Sequence, residues 1–358
     1  MRCVYFLAIT LSFFVLGCGG EANEDPSDIS VKEALEANYT SIKTLFATNR
    51  KPISDNKLVF TSKRDSLKYG ICYVTIPNDH EVGEIEAPKW WKFEFSESFD
   101  NHITLKDIKL VSKEDFFTNE SSHFKERVML FIHGYNVSFE DAAKRTGQMT
   151  YDLQFDGIPI FFSWPSNGSI AKYFHDSENI KYSTKHIKRL IFEIIEKYQG
   201  HEIYLIAHSM GSRGLARALV ELYQENETYR DRINHIILAA PDIDAQIFVE
   251  DIAPRIIGSK QNLTLYSSSK DKALYASKEI NGFPRAGDSG DGLILLEGIE
   301  TIDASNLETG LFSHSYFGNT RTVLYDIDLI LDHGHNAEAR SGLMSKTKDT
   351  KVYWEFMK

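Results

Sequence analysis

Between residues 128 and 302 the chain alternates short, continuously apolar runs with longer stretches in which apolar residues recur every three or four positions. The runs at 128–132, 158–162, 203–207, 236–240, 263–266 and 299–302 read as strands covered on both faces, since a strand with one wet face would alternate apolar with polar. Helices are predicted between them. One starts at Ser138 with Asp141 placed to help cap it. A second runs over 177–198, with Ile187, Leu190, Ile191, Ile194 and Ile195 on one stripe. A third runs over 210–224, carrying Leu215, Leu219 and Leu222. A further helical segment lies at 323–331. Strands alternating with helices of this length imply right-handed crossovers, hence an α/β fold with a doubly wound, mostly parallel sheet and helices on both faces. Ahead of this region, residues 57–110 form a β-rich extension with strands at 58–60, 71–76 and 91–95, broken by turn residues.

The two ends differ from the middle. A single basic residue, Arg2, precedes an apolar run of thirteen residues at 4–16, too short to span a bilayer. Val15, Leu16, Gly17 and Cys18 then form a sequence that resembles a bacterial lipobox, in which cleavage before the cysteine leaves it to carry lipid. Residues 1–17 are therefore expected to be a signal peptide, and 18–44 a lipid anchor at Cys18 with a polar tether. The alternative is an ordinary secretory signal; either implies export, with a lipid-anchored protein expected in the bacterial cell envelope. The remaining expected boundaries are 45–125 for the β-rich extension, 126–340 for the α/β domain and 341–358 for a C-terminal tail.

Composition narrows the chemistry. With 358 residues, 42% hydrophobic and 25% charged, the chain is long enough for a large core and is neither fibrous nor disordered. A net charge of −11 without a basic cluster argues against nucleic acid as partner, because binding it requires Lys and Arg to neutralise phosphates. Three cysteines, Cys3, Cys18 and Cys72, provide neither a disulfide framework nor a metal cluster.

One turn carries the candidate chemistry. Ala207-His208-Ser209-Met210-Gly211 lies where an apolar strand meets an amphipathic helix, the context of a nucleophile elbow, in which small residues flank a serine on a strained turn. Ala207 stands where Gly-x-Ser-x-Gly has its first glycine. A helix-capping serine is the plainer alternative. A second turn, His133-Gly134-Tyr135-Asn136, follows the strand at 128–132 and is of the kind that supplies an oxyanion-hole donor. The backbone N–H groups of Tyr135 and Met210 would then point at the developing oxyanion, worth about 3 kcal/mol each. Chain order in such enzymes is serine, acid, histidine. That order selects His314, after the last strand, over His333 and His335, which are read as capping the 323–331 helix. For the acid it selects Asp271, just beyond the strand at 263–266, with Asp242 and Asp244 as alternatives and Asp303 behind them.

These segments together resemble a bacterial α/β-hydrolase family long described as of unknown function, whose members are treated as esterases or lipases. The resemblance rests on residues 45–50, on 69–77 with His80 and Gly83, on 131–136 with 139–141, on 162–166, on the Ser209 elbow and on 314–316. It implies that the β-rich extension packs on the hydrolase, and it supports Ser209, Asp271 and His314 by motif position. The expected activity is therefore a membrane-tethered serine hydrolase cleaving small to medium carboxylic esters through an acyl-enzyme, without cofactor or metal. Thioesterase, amidase and acyltransferase chemistry use the same triad, and a binding lipoprotein that keeps the fold without turnover is the alternative of another class. An intact set of Ser209, Asp271, His314, Gly134 and Gly211 favours the enzyme. Trp90, Trp91, Trp164 and Tyr135 are candidates for an acyl pocket, although buried aromatics more often belong to the core. His175, Asp176 and Glu178 read as a helix start, and the glycine-rich stretch 287–292 as a loop beside the site.

Overall fold

A computed structural model describes residues 38–54, 58–89, 94–118, 126–167, 172–258, 262–307 and 316–357. The signal and lipobox segment, Trp90, Trp91 and His314 lie outside these described residues.

Among the described residues eleven strands form one sheet: β1 (Tyr39–Ser54), β2 (Leu58–Pro77), β3 (Thr104–Val111), β4 (Arg127–Ile132), β5 (Ile158–Ser163), β6 (Glu202–His208), β7 (His235–Ala239), β8 (Asn262–Ser267), β9 (Glu300–Asp303), β10 (Leu343–Lys348) and β11 (Lys351–Phe356). Their spatial order is β10-β11-β9-β8-β7-β6-β4-β5-β1-β2-β3. From β1 through β5, β4, β6, β7, β8 and β9 to β11 all neighbours are parallel, while β2, β3 and β10 are joined by antiparallel pairings.

The apolar runs are continuous because alternate residues feed two cores. Val128, Leu130 and Ile132 of β4 face one cluster, which holds α3 (Tyr173–Lys197) through Ile187, Leu190 and Ile194 and α4 (Gly211–Glu225) through Leu215 and Leu219. Met129 and Phe131 face the other, which holds α2 (Phe139–Asp152) through Phe139 and Met149 and α7 (Arg321–Leu331) through Val323 and Ile327. Helix α2 follows α1 (Lys113–Thr118) in the chain and begins at a full capping box: the Ser138 side chain accepts from the Asp141 N–H and the Asp141 carboxylate accepts from the Ser138 N–H.

Three expectations change. Tyr39–Thr44, assigned to the tether, belongs to β1, which is inserted between β5 and β2 and buries Leu45, Phe46 and Ala47. The expected C-terminal tail is the hairpin β10–β11, with β11 added parallel to β9 and a turn made by Asp349 and Thr350 at positive φ. Glu94 and Phe95, the described part of the strand expected at 91–95, are not in a strand. The hairpin escaped the pattern because an edge strand rich in lysine has little apolar alternation, which is also how edges are kept from pairing with other chains.

Candidate active site

Parallel strands present their C-terminal ends to one edge of the sheet, and the candidate residues emerge there: β4 runs into His133, β6 into Ser209, β7 into Asp242 and β8 toward Asp271. Ser209 has φ 51°, a left-handed conformation that costs a non-glycine residue of the order of 1 kcal/mol. Neighbouring backbone holds it there. Its N–H donates to the Ala239 carbonyl at 2.9 Å, and its own carbonyl accepts from the N–H groups of Asp242 and Ser212, both at 3.1 Å. Ala240, ending the adjacent strand, is also left-handed at φ 47°.

The two turns touch. A Cβ on Gly134 would lie 2.9 Å from His208 Nδ1 and 3.0 Å from Ser209 Cβ. One on Gly211 would collide with the His133 carbonyl oxygen and lie 2.8 Å from that of Ile132. Both latter contacts are to backbone at the end of β4, which cannot rotate aside. Gly211→Ala is therefore expected to destabilise the protein by about 1–3 kcal/mol and to lower turnover by pushing the two turns apart; urea unfolding beside an ester assay measures both. Ala207 is fully buried in β6, paired with Ile132 on one side and Leu238 on the other, which explains a small residue there.

His133 supports the turn. Its ring stacks on Trp164 at 5.1 Å, and the Trp164 indole N–H donates to the His133 carbonyl at 2.7 Å. Burial, reinforced by the nearby Arg50 charge, holds its pKa down to about 3, so the ring is neutral and Nδ1 donates to the Gly134 carbonyl at 2.7 Å. Trp164 is thus a fully buried prop under this turn, not a pocket wall.

Sequence reasoning gave Arg50 no role beyond its place in the matching segment 45–50, and Asp176 only a place in a helix start. Arg50, from β1, is buried beneath both loops: Nε donates to Ser163 Oγ at 2.9 Å, Nη1 to the Ser166 carbonyl at 2.9 Å and Nη2 to the Val137 carbonyl at 2.8 Å. Asp176 accepts from Ser166 Oγ at 2.6 Å and from the Asn167 N–H at 2.9 Å, fixing the same loop. The only signal for Arg50 was its place in the segment 45–50; for Asp176 it was an acidic residue in a first helical turn.

Asp271 is buried and caps α5 (Lys272–Asn281), its Oδ1 accepting from the N–H groups of Ala273 and Leu274, both at 3.0 Å. The Tyr135 phenol is held above its ordinary pKa by burial and then by nearby charges, Asp242 and Asp271 among them. The alternative acids are committed elsewhere. Asp242 accepts from Tyr173 Oη at 2.8 Å, Ser277 Oγ at 2.5 Å and Arg213 Nη2 at 2.8 Å. Asp244 caps the turn at Ala245–Ile247, and Asp303 accepts from Ser289 Oγ at 3.0 Å and the Ser305 N–H at 2.9 Å. His333 and His335 follow Asp332, which pairs with Arg127 at the N-terminal end of β4, so they sit at the opposite edge of the sheet. In the stretch 287–292, Gly287 is tied down: its N–H donates to the Pro241 carbonyl and its carbonyl accepts from the Ser268 N–H, both at 2.9 Å. Among the described residues no cluster of His, Cys, Asp and Glu could hold a metal ion.

The segment just past His314 is clamped from the β-rich extension and α2. Phe317, in α6 (Tyr316–Asn319), stacks on His208 at 4.4 Å. Arg145 of α2 donates to the Gly318 carbonyl at 2.7 Å and to the Asn319 side chain. Gly83, at φ 92°, passes so close to Asn319 that a Cβ would lie 2.8 Å from its carbonyl oxygen. The Gly83 N–H donates to Asp152, and Asp152 also holds His80 Nε2 at 2.8 Å while Glu86 holds Nδ1 at 2.9 Å. Burial alone would lower the His80 pKa, but hydrogen bonds to Asp152 and Glu86 reverse this and raise it to about 9. Because the folded value lies above the unfolded one of about 6.5, the stabilisation, of the order of 3 kcal/mol, is fully present below pH 6.5 and lost as pH rises through about 9. Urea midpoints are expected to fall between pH 7 and 10 in the wild type, and to do so less in His80→Gln.

A family model described as an alpha/beta hydrolase of unknown function, DUF900, matches residues 109–332. The chain belongs to this family. The match starts within β3 and ends just past α7, so β1, β2, β10 and β11 lie outside the shared segment. Among curated proteins, an uncharacterized protein of Nostoc sp. is 35% identical over 140 residues, which span 30% of this chain and 36% of its own. The alignment thus covers about a third of that relative's length. Similar solved structures include a predicted CIB-like hydrolase from Thermoplasma acidophilum (16% identity, 64% of this chain and 92% of that one, TM-score 0.34). Others are Aspergillus fumigatus lipase B (10%, 62% and 58%, 0.40) and the Francisella virulence factor BioJ (13%, 86% and 89%, 0.36).

Proposed function

We propose that this DUF900 member hydrolyses small to medium carboxylic esters through a Ser209–His314–Asp271 triad. Ser209 Oγ attacks the ester carbonyl and His314 takes its proton; the tetrahedral oxyanion is met by the N–H groups of Tyr135 and Met210. Collapse breaks the ester C–O bond, His314 returns the proton to the leaving alcohol, and Asp271 keeps the imidazole in the useful tautomer. Water then gives a proton to His314 and its oxygen to the acyl carbon. The carboxylic acid leaves as Ser209 regains its proton.

The observation that carries this reading is the left-handed Ser209 on a turn between β6 and α4, packed directly against Gly134. A mere helix cap needs neither the positive φ nor the second turn. The assignment of Asp271 is supported by its burial at the end of β8 and its charge acting on Tyr135. That of His314 is supported by Phe317, three residues on, stacking beside the serine turn. The lipobox-like Val15–Cys18 sequence supports attachment of the enzyme to an envelope membrane through Cys18.

A fluorophosphonate probe tests the chemistry on the purified full chain. Wild type is expected to be labelled, Ser209→Ala and His314→Ala not, and p-nitrophenyl esters of graded acyl length then define the preferred substrate. Absence of labelling in folded wild type would overturn the reading.

A further inference from the structure

A cleft of about 530 Å³ opens between α3, α4 and the segments at 243–252 and 281–285, and neither Ser209 nor Asp271 lines it. Arg213, Arg217, Arg285 and Lys181 line it against two acids, Glu221 and Asp244. Ser177, Thr184 and Asn281 add polar lining, and an apolar strip completes it, with Ile243 buried, and Ile247 and Phe283 exposed at 47% and 58%.

Arg285 is the unusual member. Only 4% of its surface is exposed, yet its Nε has no hydrogen-bond partner among the described residues. Its nearest carboxylate, Asp242 Oδ1, is 3.7 Å away. That carboxylate is already taken: Oδ2 by Arg213 and Tyr173, Oδ1 by Ser277. Two guanidinium groups therefore share one acid that hydrogen-bonds only the first. A buried guanidinium whose Nε–H lacks an acceptor is costly, and an anion entering the cleft would offer the group a closer partner than Asp242.

We propose that this cleft is a second binding site, for a monoanionic amphiphile whose carboxylate pairs with Arg285 and whose apolar tail lies along Ile243, Ile247 and Phe283. A single charge fits because Asp244 and Glu221 oppose a second one. The site is linked to the catalytic turn: Asp242, behind Arg285, donates its N–H to the Ser209 carbonyl at 3.1 Å, and Tyr173, bonded to Arg213, meets the Tyr135 ring edge-on at 5.7 Å. The proposal stands on the cleft alone and does not depend on ester hydrolysis.

Calorimetric titration of the purified full chain with decanoate, kept below its micelle concentration, and with decanol tests it. Saturable one-to-one binding of decanoate is expected, at least tenfold tighter than decanol. Arg285→Met should weaken decanoate at least tenfold and leave decanol unchanged, and it should fold because Asp242 keeps its hydrogen bonds from Arg213, Tyr173 and Ser277. Ile247→Glu, at a half-exposed rim position that does not endanger the fold, should weaken decanoate several-fold through repulsion. The proposal is overturned by absence of saturable decanoate binding, by decanol binding equally well, or by decanoate affinity unchanged in Arg285→Met. If Arg285→Met does not fold, unchanged affinity in Ile247→Glu overturns it.

Discussion

Ser209→Ala is expected to lower kcat/KM for a p-nitrophenyl ester by about 10⁴-fold or more, because under the proposed mechanism loss of the nucleophile leaves only binding and oxyanion stabilisation. Its unfolding midpoint should stay near that of wild type, since alanine meets the same steric objection to φ 51° as serine. Ser209→Gly separates the two roles of this position. It should be equally inactive and yet more stable than Ser209→Ala by about 1 kcal/mol, since glycine adopts the left-handed conformation without a Cβ penalty. The elbow would thus be a place where stability is given up to expose a hydroxyl. Urea unfolding of the three proteins measures the strain, and a glycine variant less stable than the alanine variant would refute it.

Arg50→Ala is expected to destabilise the protein by about 3 kcal/mol or more, because it strips hydrogen bonds from the Val137 and Ser166 carbonyls in an interior that water does not readily reach. Arg50→Lys should recover only part of this: an ammonium on one flexible stem cannot reach three acceptors spread over two loops as the planar fork does. Turnover should fall with stability in both variants, since the loops Arg50 joins carry the turn against Ser209. Denaturant unfolding with a parallel ester assay checks both quantities. An Arg50→Ala protein as stable as wild type would show that other contacts hold these loops.

The central parallel strands β4 to β8 were legible because each buries both faces, which writes a continuous apolar run, and because the covering helices bury a single stripe. The elbow and the His133 turn were legible because steric crowding admits only small residues at Ala207, Gly211 and Gly134, and that restriction is local in the chain. Strand β1 and the β10–β11 hairpin were not, since polar ends and a lysine-rich edge blur the alternation. Nor were the jobs of Arg50, Asp176 and Arg145, which reach partners more than a hundred residues away in two cases and into a neighbouring loop in the third.

What the sequence by itself determined, then, is the order of the core elements and the close packing of the two turns that end β4 and β6, both written in residue size and apolar period over short spans. Tertiary structure alone decided which charged residues became internal struts, and it committed Asp242 to Arg213, Tyr173 and Ser277 and Asp271 to the cap of α5. A carboxylate or guanidinium has the same composition whether it faces water, caps a helix or bridges two loops. Its role is set by the partners that folding brings within about 3 Å, where a hydrogen bond forms or fails to form.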